Sequence, residues 1–158
     1  MKKLLSVVLA FGLVLGFSAC AAGGESAGSS KGDGMTLPEI MEEILKDVGE
    51  LPELENFELG ADQWEYNAFI TPAEGMEGYA SNAMMSPVAH SVVLVRVPEG
   101  ADAEKVAADI EKNANPNKWI CVSADQKIVR RHGNTILLVM SFDELAEPIA
   151  NNFDNLFK

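Results

Sequence analysis

His90-Ser91-Val92-Val93-Leu94-Val95-Arg96-Val97 is the stretch that decides the fold. It is rich in β-branched residues, almost continuously apolar, and stopped by Pro98-Glu99-Gly100, so it reads as a strand. A strand apolar on both faces has no side to turn to water, which places it in the middle of a covered sheet. Thr135–Met140 has the same character. Together with Lys127–His132 it flanks Gly133-Asn134, a spacing that predicts a tight hairpin. Trp119-Ile120-Cys121-Val122 reads as a further strand, separated from the hairpin by Ser123-Ala124-Asp125. Trp64–Ile70 reads as a short strand stopped at Thr71-Pro72.

Helices fill the spaces between these runs. Thr36-Leu37-Pro38-Glu39 has the T-x-x-E form of a capping box with Pro in the first turn. Leu37, Ile40, Met41, Ile44, Leu45 and Val48 then repeat at helical spacing up to Gly49 and Pro52. Ala103, Val106, Ala107, Ile110 and Ala114 form a second stripe, ended by Asn115-Pro116-Asn117. Ser141-Phe142-Asp143-Glu144 has capping-box form and starts a third, carried by Leu145, Ile149, Phe153, Leu156 and Phe157. Pro148 lies inside it and predicts a kink in its second turn. Leu51–Asp62 reads as acidic and irregular, and Glu74–Pro87 is interrupted by Gly75, Gly78 and Pro87. The order predicts an α+β fold: one antiparallel or mixed sheet with helices packed against it, spanning residues 35–158. About 120 residues can bury one adequate core without staples.

The N-terminus predicts an address. Met1-Lys2-Lys3 is a basic start, and Leu4–Phe17 is an apolar run of about 14 residues, too short to cross a hydrocarbon core of ~30 Å. Phe17-Ser18-Ala19-Cys20 resembles a lipobox, with Phe17 where Leu is usual. This predicts a lipoprotein signal peptide over 1–19 and a lipidated Cys20, whose two acyl chains would hold the chain on the membrane. Residues 20–34 carry the lipidated Cys and a Gly/Ser-rich run (AAGGESAGSSKGDG from Ala21). That run lacks any large apolar group and predicts a flexible tether spanning roughly 20 Å. The expected location is the outer face of the cytoplasmic membrane.

Charge and motifs exclude several function classes. The 158 residues carry 24 acids and 12 bases, a formal net charge of −12. Without residues 1–19 the balance is 24 acids to 10 bases, or −14; Thr36–Ala80 alone holds 12 acids and one base, or −11. Phosphate binding needs clustered Lys and Arg, so no nucleic acid is expected as partner. The acidic half reads as a solvated face. Two Cys cannot build a disulfide scaffold. No G-x-S-x-G, Walker, dinucleotide or H-E-x-x-H motif is present, so no catalytic residue is assigned. His132 reads as part of an exposed hairpin tip, His90 as a satisfied strand-end histidine and Cys121 as a buried, inert thiol. Met84, Met85 and His90, with Met76 nearby, form the one weak metal alternative, because thioether and imidazole suit Cu(I). No cofactor is expected.

Several blocks resemble a family of bacterial lipoproteins, domain of unknown function four-three-five-eight, found mainly in Gram-positive gut bacteria. They are Ala83-Met84-Met85-Ser86, His90–Arg96, Lys118–Val122, Gly133-Asn134 and Thr135–Met140, together about half the chain. The resemblance implies the extent of the domain and its location, and carries no catalytic residue. The expected function is a membrane-anchored extracytoplasmic lipoprotein, a non-catalytic binding or interaction module. The alternative is an extracytoplasmic hydrolase with an unrecognised site.

Overall fold

The computed structural model describes residues 30–85 and 87–158. The expected signal peptide, Cys20 and most of the expected tether lie outside the described residues. A short 3-10 turn, Lys31–Gly34, leads in, followed by α1 (Leu37–Ile44), β1 (Leu54–Glu58), α2 (Trp64–Asn67), β2 (Glu77–Ala83), β3 (Ser91–Arg96), α3 (Ala103–Asn113), β4 (Gln126–His132), β5 (Thr135–Ser141) and α4 (Asp143–Leu156). The fold is α+β. One antiparallel five-stranded sheet runs β1-β2-β3-β5-β4, with helices packed against it.

The two runs apolar on both faces, β3 and β5, pair at the centre, from Ser91 opposite Met140 to Arg96 opposite Thr135. Alternation sends their side chains to two separate cores. Val92, Leu94, Leu137 and Val139 meet Ile40, Met41 and Ile44 of α1 and Ile149 and Phe153 of α4. Val93, Val95, Ile136 and Leu138 meet Ile110 of α3, Trp64 of α2 and Ala68 just after it. The sheet is thus covered on both faces, which is why neither strand keeps a polar side.

The helix ends follow local chemistry. The Thr36 N–H donates to the Glu39 carboxylate at 2.8 Å, and the Glu39 N–H returns to Thr36 Oγ1 at 3.4 Å, completing the capping box. Asp102 caps α3 through Lys105 N–H at 2.9 Å. The predicted capping box at Ser141 does not form. Ser141 ends β5, Phe142 occupies the cap without a side-chain bond, and the Ser141 hydroxyl pairs with His90 instead. α4 continues through Pro148. The hairpin loop is Gly133-Asn134, with Gly133 at φ +52°.

Three expectations about elements need correction. Trp64–Ile70 is not a strand: Trp64–Asn67 is one helical turn, because Trp64 and Ala68 face the core on a helical spacing. That turn ends at Phe69, held at φ +59° in the left-handed region, where its N–H reaches Trp64 O at 3.0 Å. Trp119–Val122 is an irregular loop, with Ile120 fully exposed. The two strands that complete the sheet, β1 and β2, lie instead in the acidic segment and the Gly-interrupted one. Gly78 is buried within β2 because a Cβ there would stand 2.7 Å from Leu59 and 3.0 Å from Trp64, which pack directly on the backbone.

The tether boundary also moves. Lys31–Gly34 belongs to the fold: a Cβ at Gly32 would lie 2.6 Å from the Phe157 ring, and Lys31 pairs with Glu43 at 2.6 Å. Just beyond, Met35 O accepts from Arg96 Nη2 at 2.9 Å. The chain therefore enters on the α1/α4 side of the sheet.

Candidate functional site

The α3–β4 connection, residues 114–125, is braced by its own polar groups. Asn117 N–H donates to Asn115 Oδ1 at 3.0 Å, Ser123 Oγ to Asn117 Oδ1 at 2.6 Å, and Ala124 N–H to Pro116 O at 3.0 Å. These turns reverse the chain at Lys118 and aim its side chain inward over β3. Lys118 Nζ donates to Ser91 Oγ at 3.0 Å. It also stands 4.6 Å from the Tyr66 ring centre, 5.2 Å from Trp119 and 5.8 Å from Phe69. Each ring presents the negative side of its quadrupole to the ammonium. Among the described residues no carboxylate forms an ion pair with it. Burial pushes the Lys118 amine down to about 8.

This amine forms part of the wall of a cleft of about 750 Å³. β1 contributes Glu55 and Phe57, α2 and its approach Asp62, Gln63, Tyr66 and Asn67, β2 Asn82, and the loops Met84, Pro87 and Trp119–Cys121. Asn82 Nδ2 donates to Asn67 Oδ1 at 2.9 Å, and Asn67 Nδ2 to Gln63 O at 3.0 Å, so this polar wall is held in place. The exposed large apolar side chains gather here. Tyr66 (54% exposed), Met84 (58%) and Ile120 (100%) all line the cleft, and Met85 is next in sequence. A grouping of exposed apolar surface around a concave polar centre marks a recognition site more than a solvated face. Phe69, beside the amine, keeps its left-handed backbone at a cost of about 1–3 kcal/mol, the kind of local strain that collects at functional positions.

Cys121 is exposed and lines this cleft; it is not a buried thiol, because the loop replaces the expected strand. His90 is fully buried. Its Nδ1 lies 2.7 Å from Ser141 Oγ while Nε2 has no partner among the described residues, so it is only half satisfied. Burial brings it down to about 4. Met84 and Met85 are exposed and Met76 is half-buried, while His90 is sealed inside, so these residues offer no common ligand face. No cluster of three His, Cys, Asp or Glu suited to a metal occurs among the described residues. His132 is not an exposed tip. Its Nε2 meets Asp154 Oδ1 at 2.9 Å, and its ring stacks on Phe157 at 5.2 Å, tying β4 to the end of α4. Lys118, Tyr66 and Phe57 went unassigned as site residues in the sequence. The available signal was a basic residue directly beside an aromatic one, Lys118-Trp119, in a segment that reads as a strand.

No family model, no curated protein and no solved structure matches this chain. No helix among the described residues is long and apolar enough to cross a membrane.

Proposed function

We propose that this protein is a lipid-anchored extracytoplasmic binding module, without catalysis of its own, whose ligand site is the cleft around Lys118. The anchor rests on the lipobox-like Phe17–Cys20 and the short apolar run before it. The layout of lipobox, Gly/Ser segment and domain is that of the lipoprotein family the chain resembles. The observation that carries the binding role is the convergence of Phe57, Tyr66 and Trp119 and the exposed Met84 and Ile120 on one cleft with a half-buried lysine amine in its wall. Its volume falls within the range of about 300–1,000 Å³ common for small-molecule sites. The chain enters the fold on the α1/α4 side while the cleft lies on the α2/α3 side, an arrangement that leaves the cleft free of the anchor.

Binding of small aromatic fragments, followed by NMR on the isotope-labelled chain, tests the reading. Resonances of Lys118–Cys121 and Tyr66 should shift together, and Tyr66→Ala should weaken the effect. Fragments that perturb only other surfaces would refute it. Acyl labelling tests the anchor separately, since Cys20→Ala should abolish it. One observation favours the hydrolase alternative: an amine near 8 can act as a base close to neutral pH. Turnover of p-nitrophenyl esters that is lost in Lys118→Met would establish that reading instead.

A further inference from the structure

Resting on the cleft as ligand site, we propose that it selects small organic monocarboxylates carrying an aromatic or branched apolar body, with the carboxylate set against Lys118 Nζ and the body among Tyr66, Trp119 and Phe57. The amine is the only cation lining the cleft among the described residues. Its present partners are one neutral hydroxyl and three ring faces. A half-buried ammonium with only such partners keeps part of its desolvation penalty, and an incoming carboxylate that closes the cleft over it supplies the missing countercharge. Glu55 and Asp62 also line the cleft, so its field is negative away from Lys118. That combination tolerates one negative charge at the amine and rejects a dianion such as a phosphate monoester, whose second charge faces the two carboxylates. A cationic ligand would meet Lys118 itself over the rings it would need. The aromatic wall supplies affinity through area, and the lysine supplies the choice of charge.

The titratable groups that face the site are Lys118, Cys121, Tyr66, Glu55 and Asp62, drawn from the α3–β4 loop, α2 with its approach and β1. Only the protonated amine attracts a carboxylate. Affinity should therefore hold below about pH 8 and fall up to tenfold per unit above it. An arginine in the same place stays charged throughout that range.

The experiment uses the full chain in phosphatidylcholine nanodiscs, with empty nanodiscs subtracted, and calorimetry with 3-phenylpropanoate, 3-phenylpropan-1-ol, 3-phenylpropylamine and phenyl phosphate. The expected result is that propanoate binds at least tenfold more tightly than the alcohol, the amine or the phosphate at pH 7. Lys118→Met should bring propanoate down to the level of the alcohol. Lys118→Arg should keep the preference and remove its decline between pH 8 and 9.5. Equal binding of alcohol and propanoate, or a preference for the amine or the phosphate, would overturn the proposal and leave the cleft as a ligand site of another kind. A preference that survives Lys118→Met, or a pH decline that survives Lys118→Arg, would overturn it equally. Failure of all four probes to bind at millimolar concentration would overturn both this inference and the cleft reading.

Discussion

The two faces of the sheet start from the same two strands and end differently. On one face Val92, Leu94, Leu137 and Val139 are covered by the apolar stripes of α1 and α4, with Phe153 fully buried between them. On the other face Val93, Val95, Ile136 and Leu138 are covered by α3, but the cover stops before the β1–β2 side. There α2 is a single turn, the α3–β4 connection is a loop, and the gap holds Lys118. The inward-facing polar groups differ too. Beneath the closed side lies the buried pair His90–Ser141, with the ion pairs of α1 and α4 at its rim, whereas the open side holds an amine beside exposed rings. Finished packing makes stability, and the place where packing is left unfinished is the place free to recognise something else.

The largest expected effect comes from burying a charge under the finished part of the cleft-bearing face. Val93→Asp or Leu138→Asp places an unpaired carboxylate beneath α3, at a cost of several kcal/mol, comparable with the whole stability of the domain. Loss of cooperative unfolding by circular dichroism is expected. A variant that melts like wild type would show that the open region extends across the entire face.

Next is a direct contrast of the two sides. Phe153→Ala on the closed side should cost about 3–5 kcal/mol, since its ring is fully enclosed and leaves a cavity. Trp119→Ala at the cleft should cost less than about 1 kcal/mol, because the ring is only partly buried and its loop is held by Asn115, Asn117 and Ser123. Urea denaturation of the pair checks this, and similar losses would erase the distinction.

The sequence exposed the closed side far better than the open one. α1, α3 and α4 are legible because each carries an apolar stripe at helical spacing, and β3 and β5 because burial on both faces makes each a short, β-branched, continuous apolar run bounded by turn residues. β1 and β2 are hidden for a different reason. Leu54–Glu58 sits at the sheet edge, where only Phe57 packs against a core, and in Glu77–Ala83 Tyr79 is the one strong strand former among Glu, Gly, Ala, Ser and Asn, residues with little strand preference. Trp119–Val122 misled in the opposite direction. Its strand-like composition serves a cleft wall, so Ile120 and Cys121 point to solvent. Lys118 became visible as a site only after Tyr66 and Phe69, some 50 residues away in the chain, were folded beside it.

The third effect concerns the closed side in acid. Burial holds His90 near 4, below the usual histidine range, so the native state favours the neutral ring. The unfolded chain takes up the proton first. This contribution is therefore fully present above about pH 6.5 and is lost as pH falls towards 4, amounting to about 3 kcal/mol. Stability measured by denaturant titration should decline across that window. His90→Gln should flatten the decline between about pH 6.5 and 4.

The smallest effect runs in the opposite direction and belongs to the open side. Lys118 is a charged amine held in a place that penalises charge, which is why it loses its proton near 8. The sign follows from that depression: the penalty is full below about pH 8 and is relieved as pH rises towards the ordinary lysine value. Lys118→Met removes the penalty at neutral pH and keeps the aliphatic stem that packs among Tyr66, Phe69 and Trp119. It also gives up the bond to Ser91 and the ring contacts, leaving the Ser91 hydroxyl to find another partner. The net expectation is a gain of about 1–2 kcal/mol at pH 7 that shrinks by pH 10. On the proposed reading of the cleft, the same variant should lose carboxylate preference, so that a gain in stability accompanies a loss of binding. A loss of stability at pH 7 would mean that Lys118 is a structural strut across the cleft, and the contrast between the closed and open faces would then have to be drawn elsewhere.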